Sequence, residues 1–230
     1  MKFSAAILAL ALSSGMANAA VFDWTVASPD FFAPIGGTSL SETKTGNNAT
    51  LSWGTPTARN NPRVQSSYTF DGLNGSLVIN PGETKEFTFA TFAHHNSDLT
   101  RSTANGELGG ASIIFDLTLL GGYLFEPVFQ ITHDETLNVY SGPNAWPKCC
   151  DDNVSSTSFS IGEILKGNLK YSVFLTAIDF DTKEGTSTAT NWIGKVSLAE
   201  IPPIPIPPAV LLFGSALAGI GFMSKRRSSR

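Results

Sequence analysis

The run Ile113-Ile114-Phe115-Asp116-Leu117-Thr118-Leu119-Leu120 decides the fold class. In extended backbone Ile113, Phe115, Leu117 and Leu119 share one face, while Ile114, Asp116, Thr118 and Leu120 share the other. A strand with one wholly apolar side needs a second layer to bury it. Shorter extended candidates lie at Leu51 to Trp53, Tyr68 to Phe70, Ser76 to Ile79, Glu86 to Phe92, Val128 to Thr132, Thr157 to Ile161, Tyr171 to Phe180 and Trp192 to Leu198. Within Glu86 to Phe92 the alternation slips, because Phe87 and Phe89 fall on one face and Phe92 on the other; this predicts a bulge or a strand buried on both sides. Turn chemistry separates the runs at Asp71-Gly72, Asn74-Gly75, Asn80-Pro81-Gly82, Asn105-Gly106, Gly121-Gly122, Ser141-Gly142-Pro143 and Gly167-Asn168. Only Ile161 to Leu165 has the spacing of a helical turn. Together these features predict an all-β domain, an antiparallel β-sandwich of about nine or ten short strands.

With 230 residues, 42% of them hydrophobic and 15% charged, the chain has enough apolar mass for a packed core, which excludes a disordered or collagen-like polymer. Its 21 glycines and 13 prolines suit a turn-rich β protein. The formal net charge is −4, but Lys2, Lys225, Arg226, Arg227 and Arg230 lie in the end segments, leaving ten Lys/Arg against nineteen Asp/Glu, a balance of −9 for the middle. An acidic domain without a basic stripe lacks the Lys/Arg that neutralise phosphates, which argues against nucleic acid as a partner.

Both ends read as addresses. Lys2, the apolar run Ala5 to Leu12 and the small-x-small triplet Ala17-Asn18-Ala19 predict an export signal over 1–19, with the mature chain beginning near Ala20. The body is then 20–200. Residues 201–208, Ile201-Pro202-Pro203-Ile204-Pro205-Ile206-Pro207-Pro208, form a stiff extended spacer, because successive prolines remove donors and fix φ. An uncharged segment over 209–223 and a basic tail over 224–230 follow. Fifteen helical residues reach about 22 Å against a hydrocarbon core of about 30 Å, so this transmembrane helix is short and needs bilayer thinning or help from Ile204 and Ile206. The basic tail places its end in the cytoplasm and the body outside, in the cell envelope or at the surface, anchored or released.

The order of proline motif, apolar stretch and basic stop resembles the C-terminal sorting signals of the PEP-CTERM class, in its VPLPA variant. Ile204, Pro205, Ile206 and Pro207 occupy the motif position, and Leu212-Phe213-Gly214-Ser215-Ala216 lies in the apolar stretch. That resemblance implies an exosortase-like membrane protease as partner and a host that makes an extracellular polysaccharide matrix. Within the body, the blocks Trp53-Gly54-Thr55-Pro56, Gln65-Ser66-Ser67 and Phe89-Ala90-Thr91-Phe92-Ala93-His94-His95-Asn96 resemble the THxN and choice-of-anchor relatives of that class. Ala93 stands where the family has threonine, and Ser67 where it has glycine. The family motif carries over to Trp53, Gly54, Pro56, Gln65, Ser66, His94 and Asn96, and implies an exported sandwich-like protein without an established reaction.

Chemistry-bearing residues are few. His94, His95 and His133, with Asp98, Asp134 or Glu135, offer zinc ligands, but adjacent strand residues point to opposite faces, so His94 and His95 cannot both serve one ion. The alternative is that His94 and Asn96, sharing a face, hydrogen-bond backbone groups where a strand ends. Asp151, Asp152, Asp179 and Asp181 offer oxygens to calcium in a sandwich loop, although no EF-hand loop is present; solvated turns are the other reading. Cys149 and Cys150 adjoin, leaving a vicinal disulfide, an intermolecular link or two thiols. Trp53, Trp146 and Trp192 can stack on sugar rings or fill the core. No nucleophile elbow or phosphate-cradling glycine loop occurs.

The expectation is a non-enzymatic exported protein with a structural or adhesive role toward glycans or other surface proteins. The alternatives are a secreted metal-dependent hydrolase using His94 and His133, and a calcium-stabilised binding module.

Overall fold

The structure is a computed structural model that describes residues 19–56, 64–97, 108–134 and 151–202. The segments read as export signal, sorting motif, membrane helix and basic tail, together with Cys149, Cys150, Trp146, Asp98 and Glu135, lie outside the described residues.

The described chain is all-β, built as two antiparallel sheets. The strands are β1 (Ala20–Gly36), β2 (Ser41–Thr45), β3 (Asn48–Trp53), β4 (Ser66–Gly72), β5 (Gly75–Ile79), β6 (Thr84–His95), β7 (Leu108–Leu119), β8 (Tyr123–Phe125), β9 (Val128–Asp134), β10 (Asp152–Ser156), β11 (Phe159–Lys166), β12 (Leu169–Leu175), β13 (Asp179–Thr182) and β14 (Ser187–Glu200). The first sheet runs β13-β10-β9-β7-β1-β5, with β8 also on β7; the second runs β11-β12-β14-β6-β4-β3-β2. The inner faces meet in one aromatic core, where Phe22 packs on Phe87 at 5.1 Å, Phe70 on Phe115 at 5.0 Å and Phe129 on Trp192 at 4.5 Å between ring centroids. Each large side chain buried this way contributes about 2–3 kcal/mol.

β7 is the strand that the run Ile113 to Leu119 announces, with Ile113, Phe115, Leu117 and Leu119 all buried. The described residues hold fourteen strands rather than nine or ten. β1 has no clean alternation because Ser28 takes a positive φ of 51° and the register against β7 shifts between Ala27 and Asp30. β2 (Ser-Glu-Thr-Lys-Thr) is exposed throughout, so it carries no apolar signal and is held by its ladder to β3. Tyr171 to Phe180 is not one strand: β12 lies in the second sheet and β13 in the first, with Thr176, Ala177 and Ile178 crossing between them. Ile161 to Leu165 is strand, not helical turn; Gly162 at φ 88° sits in a register shift of β11, and this bulge mimics helical spacing.

Close approach requires glycine at several positions, Gly194 and Gly110 among them. Gly194 pairs with Phe87 across β14 and β6, and a Cβ there would overlap the Phe87 ring. Gly110, at φ 147°, lies so near β9 that a Cβ would overlap the Ile131 carbonyl oxygen. The sheet edges carry charge: β2 presents Lys44, paired with Asp30 and Glu42, and the Lys85 ammonium donates to the Val78 carbonyl of β5 at 2.7 Å. Charged edges discourage pairing with another chain.

Candidate functional site

The site starts with a bulge in β6. Trp192 pairs with Ala90 and Ile193 with Thr88, so Phe89 is an extra residue on the β6 side. Side chains before it point inward at Phe87 and Phe89; after it the inward set becomes Ala90, Phe92 and His94. A strand without the extra residue would turn His95 inward instead, since a one-residue slip exchanges the faces. The slip in the apolar pattern therefore marks the device that buries His94.

On the facing sheet, Phe129, Ile131 and His133 alternate inward along β9, and Asp152 and Val154 do so along β10. His94, His133 and Asp152 are 0%, 5% and 1% exposed. Each offers a ligand atom, and these atoms all lie within 4.8 Å of one another. The cluster spans both sheets, His94 coming from the second and His133 and Asp152 from the first. His133 Nε2 and Asp152 Oδ2 are 3.2 Å apart and buried together, as a carboxylate inside a protein requires. The two imidazole centroids stand 4.8 Å apart at 76°.

Aromatic rings wall the cluster. Trp53 stacks parallel to the His94 ring at 5.9 Å and meets His133 edge-on at 5.7 Å, while Tyr68 lies 5.5 Å from His94 and 5.7 Å from His133. Among the described residues neither ring nitrogen of His94 has a hydrogen-bond partner, nor does His133 Nδ1. Burial, followed by the charge on His133 and then on His95, pushes the His94 pKa down to about 2. Thr182, which pairs with Asp152 across β10 and β13 and so shares its face, also has an unpartnered buried hydroxyl.

His95 faces the other way, with Nδ1 2.8 Å from Ser187 Oγ and Nε2 3.0 Å from Ser97 Oγ; burial lowers its pKa. The expected opposition of His94 and His95 is thus realised. The backbone-bonding role foreseen for His94 and Asn96 is divided: the Asn96 amide donates to the Thr182 carbonyl at 3.3 Å, whereas His94 makes no such bond because the bulge turns it into the core.

The remaining motif residues converge on the same end. Gly54, at φ 78°, donates its N–H to the Thr38 carbonyl at 2.7 Å, and its own carbonyl accepts from the Gln65 amide at 2.8 Å. Ser66 pairs with Trp53 across β3 and β4, and its Oγ accepts the Ser97 N–H at 3.0 Å. Pro56 is half-buried just beyond. Blocks distant in sequence thus lock the strand ends around His94.

The four aspartates offered to calcium do not form one oxygen cluster. Asp152 turns inward to His133, while Asp151, next to it, faces out. Asp179 and Asp181 are exposed on the outer face, where the Asn153 amide donates to both at 2.9 and 3.0 Å. The cause is strand parity: Asp151 and Asp152 point to opposite faces, and β13 alternates Asp179 and Asp181 outward. Of the carboxylates proposed to complete a histidine site, Asp134 is exposed. Asp152 takes that place, which only the pairing of β9 with β10 reveals. Trp53 and Trp192 are 0% exposed, so they fill the core and present no sugar-stacking surface.

Two imidazoles and a carboxylate converging while buried are a donor set for a divalent transition metal. No protein-family model matches the chain, and no curated protein resembles it significantly.

Proposed function

We propose that the chain is an exported, non-enzymatic surface or matrix protein: a two-sheet body delivered by its N-terminal signal, held outside by its C-terminal segment, and sorted at Ile204-Pro205-Ile206-Pro207 by an exosortase-like protease. The observation that carries this reading is where the strands stop. β1 begins at Ala20, one residue past the small-x-small triplet, and already places Phe22 in the core; β14 ends at Glu200, one residue before the proline run. Both address segments can therefore be removed without cutting a strand. A display role toward glycans or neighbouring proteins fits an acidic body on a stiff spacer. The burial of the His94, His133 and Asp152 cluster favours a structural use of it over turnover of a substrate.

Mass spectrometry of the mature protein from its native host tests the reading. The expected result is an N-terminus at or next to Ala20 and a C-terminus within or just after 204–208, in the envelope or medium fraction. An intact Met1 with the protein in the cytosol overturns it.

A further inference from the structure

We infer that His94, His133 and Asp152 form a structural binding site for a zinc-class divalent cation that staples the two sheets together. The inference goes beyond the surface-protein reading and stands or falls independently of it.

The cluster is costly as a piece of apolar core. A neutral imidazole has one donor and one acceptor, and His94 satisfies neither within a fully buried pocket. A bulge in β6 is needed to place it there. Nitrogen donors on two rings favour zinc-class ions over calcium or magnesium, which take oxygen ligands. The spacing is close to that required. Two ligand atoms about 2.0–2.1 Å from a tetrahedral zinc are about 3.3 Å apart, and His133 Nε2 and Asp152 Oδ2 are already 3.2 Å apart. The widest pair in the cluster is at most 4.8 Å apart. It must close by about 1.5 Å; that movement falls to His94, whose ring nitrogens have no hydrogen bond to break, while the ion replaces the proton between His133 Nε2 and Asp152. The Thr182 hydroxyl, directly across the ladder from Asp152, adds an oxygen on the same face. Sealed under Trp53 and Tyr68, an ion there would meet no substrate; its effect is to join β6 of one sheet to β9 and β10 of the other.

The full-length chain, purified in mild detergent and stripped with chelator, is titrated with zinc. The expected result is one equivalent bound and a melting temperature raised by about 5–10 °C when free zinc is a hundredfold above Kd. His94→Phe and Asp152→Asn should each abolish the shift while melting cooperatively without metal. Binding of less than one equivalent by the wild-type chain overturns the inference. So does a zinc shift that survives both substitutions. Should both variants fail to fold, cobalt substitution of the wild type decides. Tetrahedral d–d bands without sulfur charge transfer support the site; no spectrum, or a thiolate band that would put Cys149 or Cys150 on the metal, overturns it.

Discussion

Replacing His94 by phenylalanine should make the metal-free protein more stable, although the substitution falls in the middle of the core. Leaving a buried donor or acceptor unpaired costs about 1–3 kcal/mol, and His94 has one of each. Phenylalanine keeps the ring against Trp53, 5.9 Å away and parallel, but is slightly larger; overpacking returns about 1–3 kcal/mol. The net gain is about 2 kcal/mol, or about 4–8 °C in Tm for a domain of this size. The advantage should widen in acid. The folded state holds the His94 pKa down at about 2, against an ordinary value of 6.5. Below pH 6.5 the unfolded chain therefore takes up a proton that the folded one refuses. The wild type then loses about 1.4 kcal/mol per pH unit, a loss that continues until the pH approaches the folded pKa. At pH 5 this adds about 2 kcal/mol, so the gap between the two proteins grows to about 4 kcal/mol. Urea titrations followed by tryptophan fluorescence, in chelator between pH 8 and pH 5, measure both quantities. A variant less stable than wild type by more than 1 kcal/mol at pH 8, or two stability curves that run parallel with pH, would refute the reasoning.

Gly194→Ala should destabilise by about 1–3 kcal/mol, because the new methyl overlaps the Phe87 ring that covers this glycine. Gly122→Ala, where nothing lies within 4 Å of the added carbon, should stay within about 0.5 kcal/mol of wild type; equal midpoints in urea for the two variants would contradict the packing account. Asn153→Asp replaces the amide that bridges Asp179 and Asp181 by a third carboxylate. At neutral pH it should lower Tm by a few degrees, and millimolar calcium should restore Tm in the variant while leaving the wild type unchanged. A wild-type Tm that responds equally to calcium would show that the outer-face aspartates already hold an ion.

Legibility of the sequence followed how much of each strand's placement is carried by its own side chains. β7 and β14 are readable because a buried face alternates with a polar one over many residues. β2 and β10 are not: the first has no buried residue at all, and in the second Val154 is the only buried apolar side chain. Both exist because a neighbouring strand offers a ladder. The division of Tyr171 to Phe180 between two sheets is likewise a tertiary decision, taken where Ile178 anchors the crossing in the core. For the site, parity arguments on single strands carried His94 against His95. They failed for Asp152, because recognising it required knowing that β9 and β10 are neighbours and that β6 faces them.

The same bulge connects the readable and the unreadable parts of the site. A regular β6 would have placed Ala93 and His95 inside and left His94 facing outward. That arrangement would take His95 away from its two hydroxyl partners, Ser187 and Ser97, which lie on the face where it now points. The extra residue keeps His95 with those partners and sets an unsatisfied His94 inside, opposite a second histidine and a buried aspartate. An arrangement that raises the free energy of the bare fold at one point, while the motif residues Gly54, Gln65 and Ser66 tie down the surrounding strand ends, is what pre-organised ligand sites require: donors held without internal partners by a frame that does not collapse onto them. The stability deficit at His94 and the ligand-binding inference are two consequences of one geometry, so the phenylalanine variant should gain in the absence of zinc what the wild type gains in its presence.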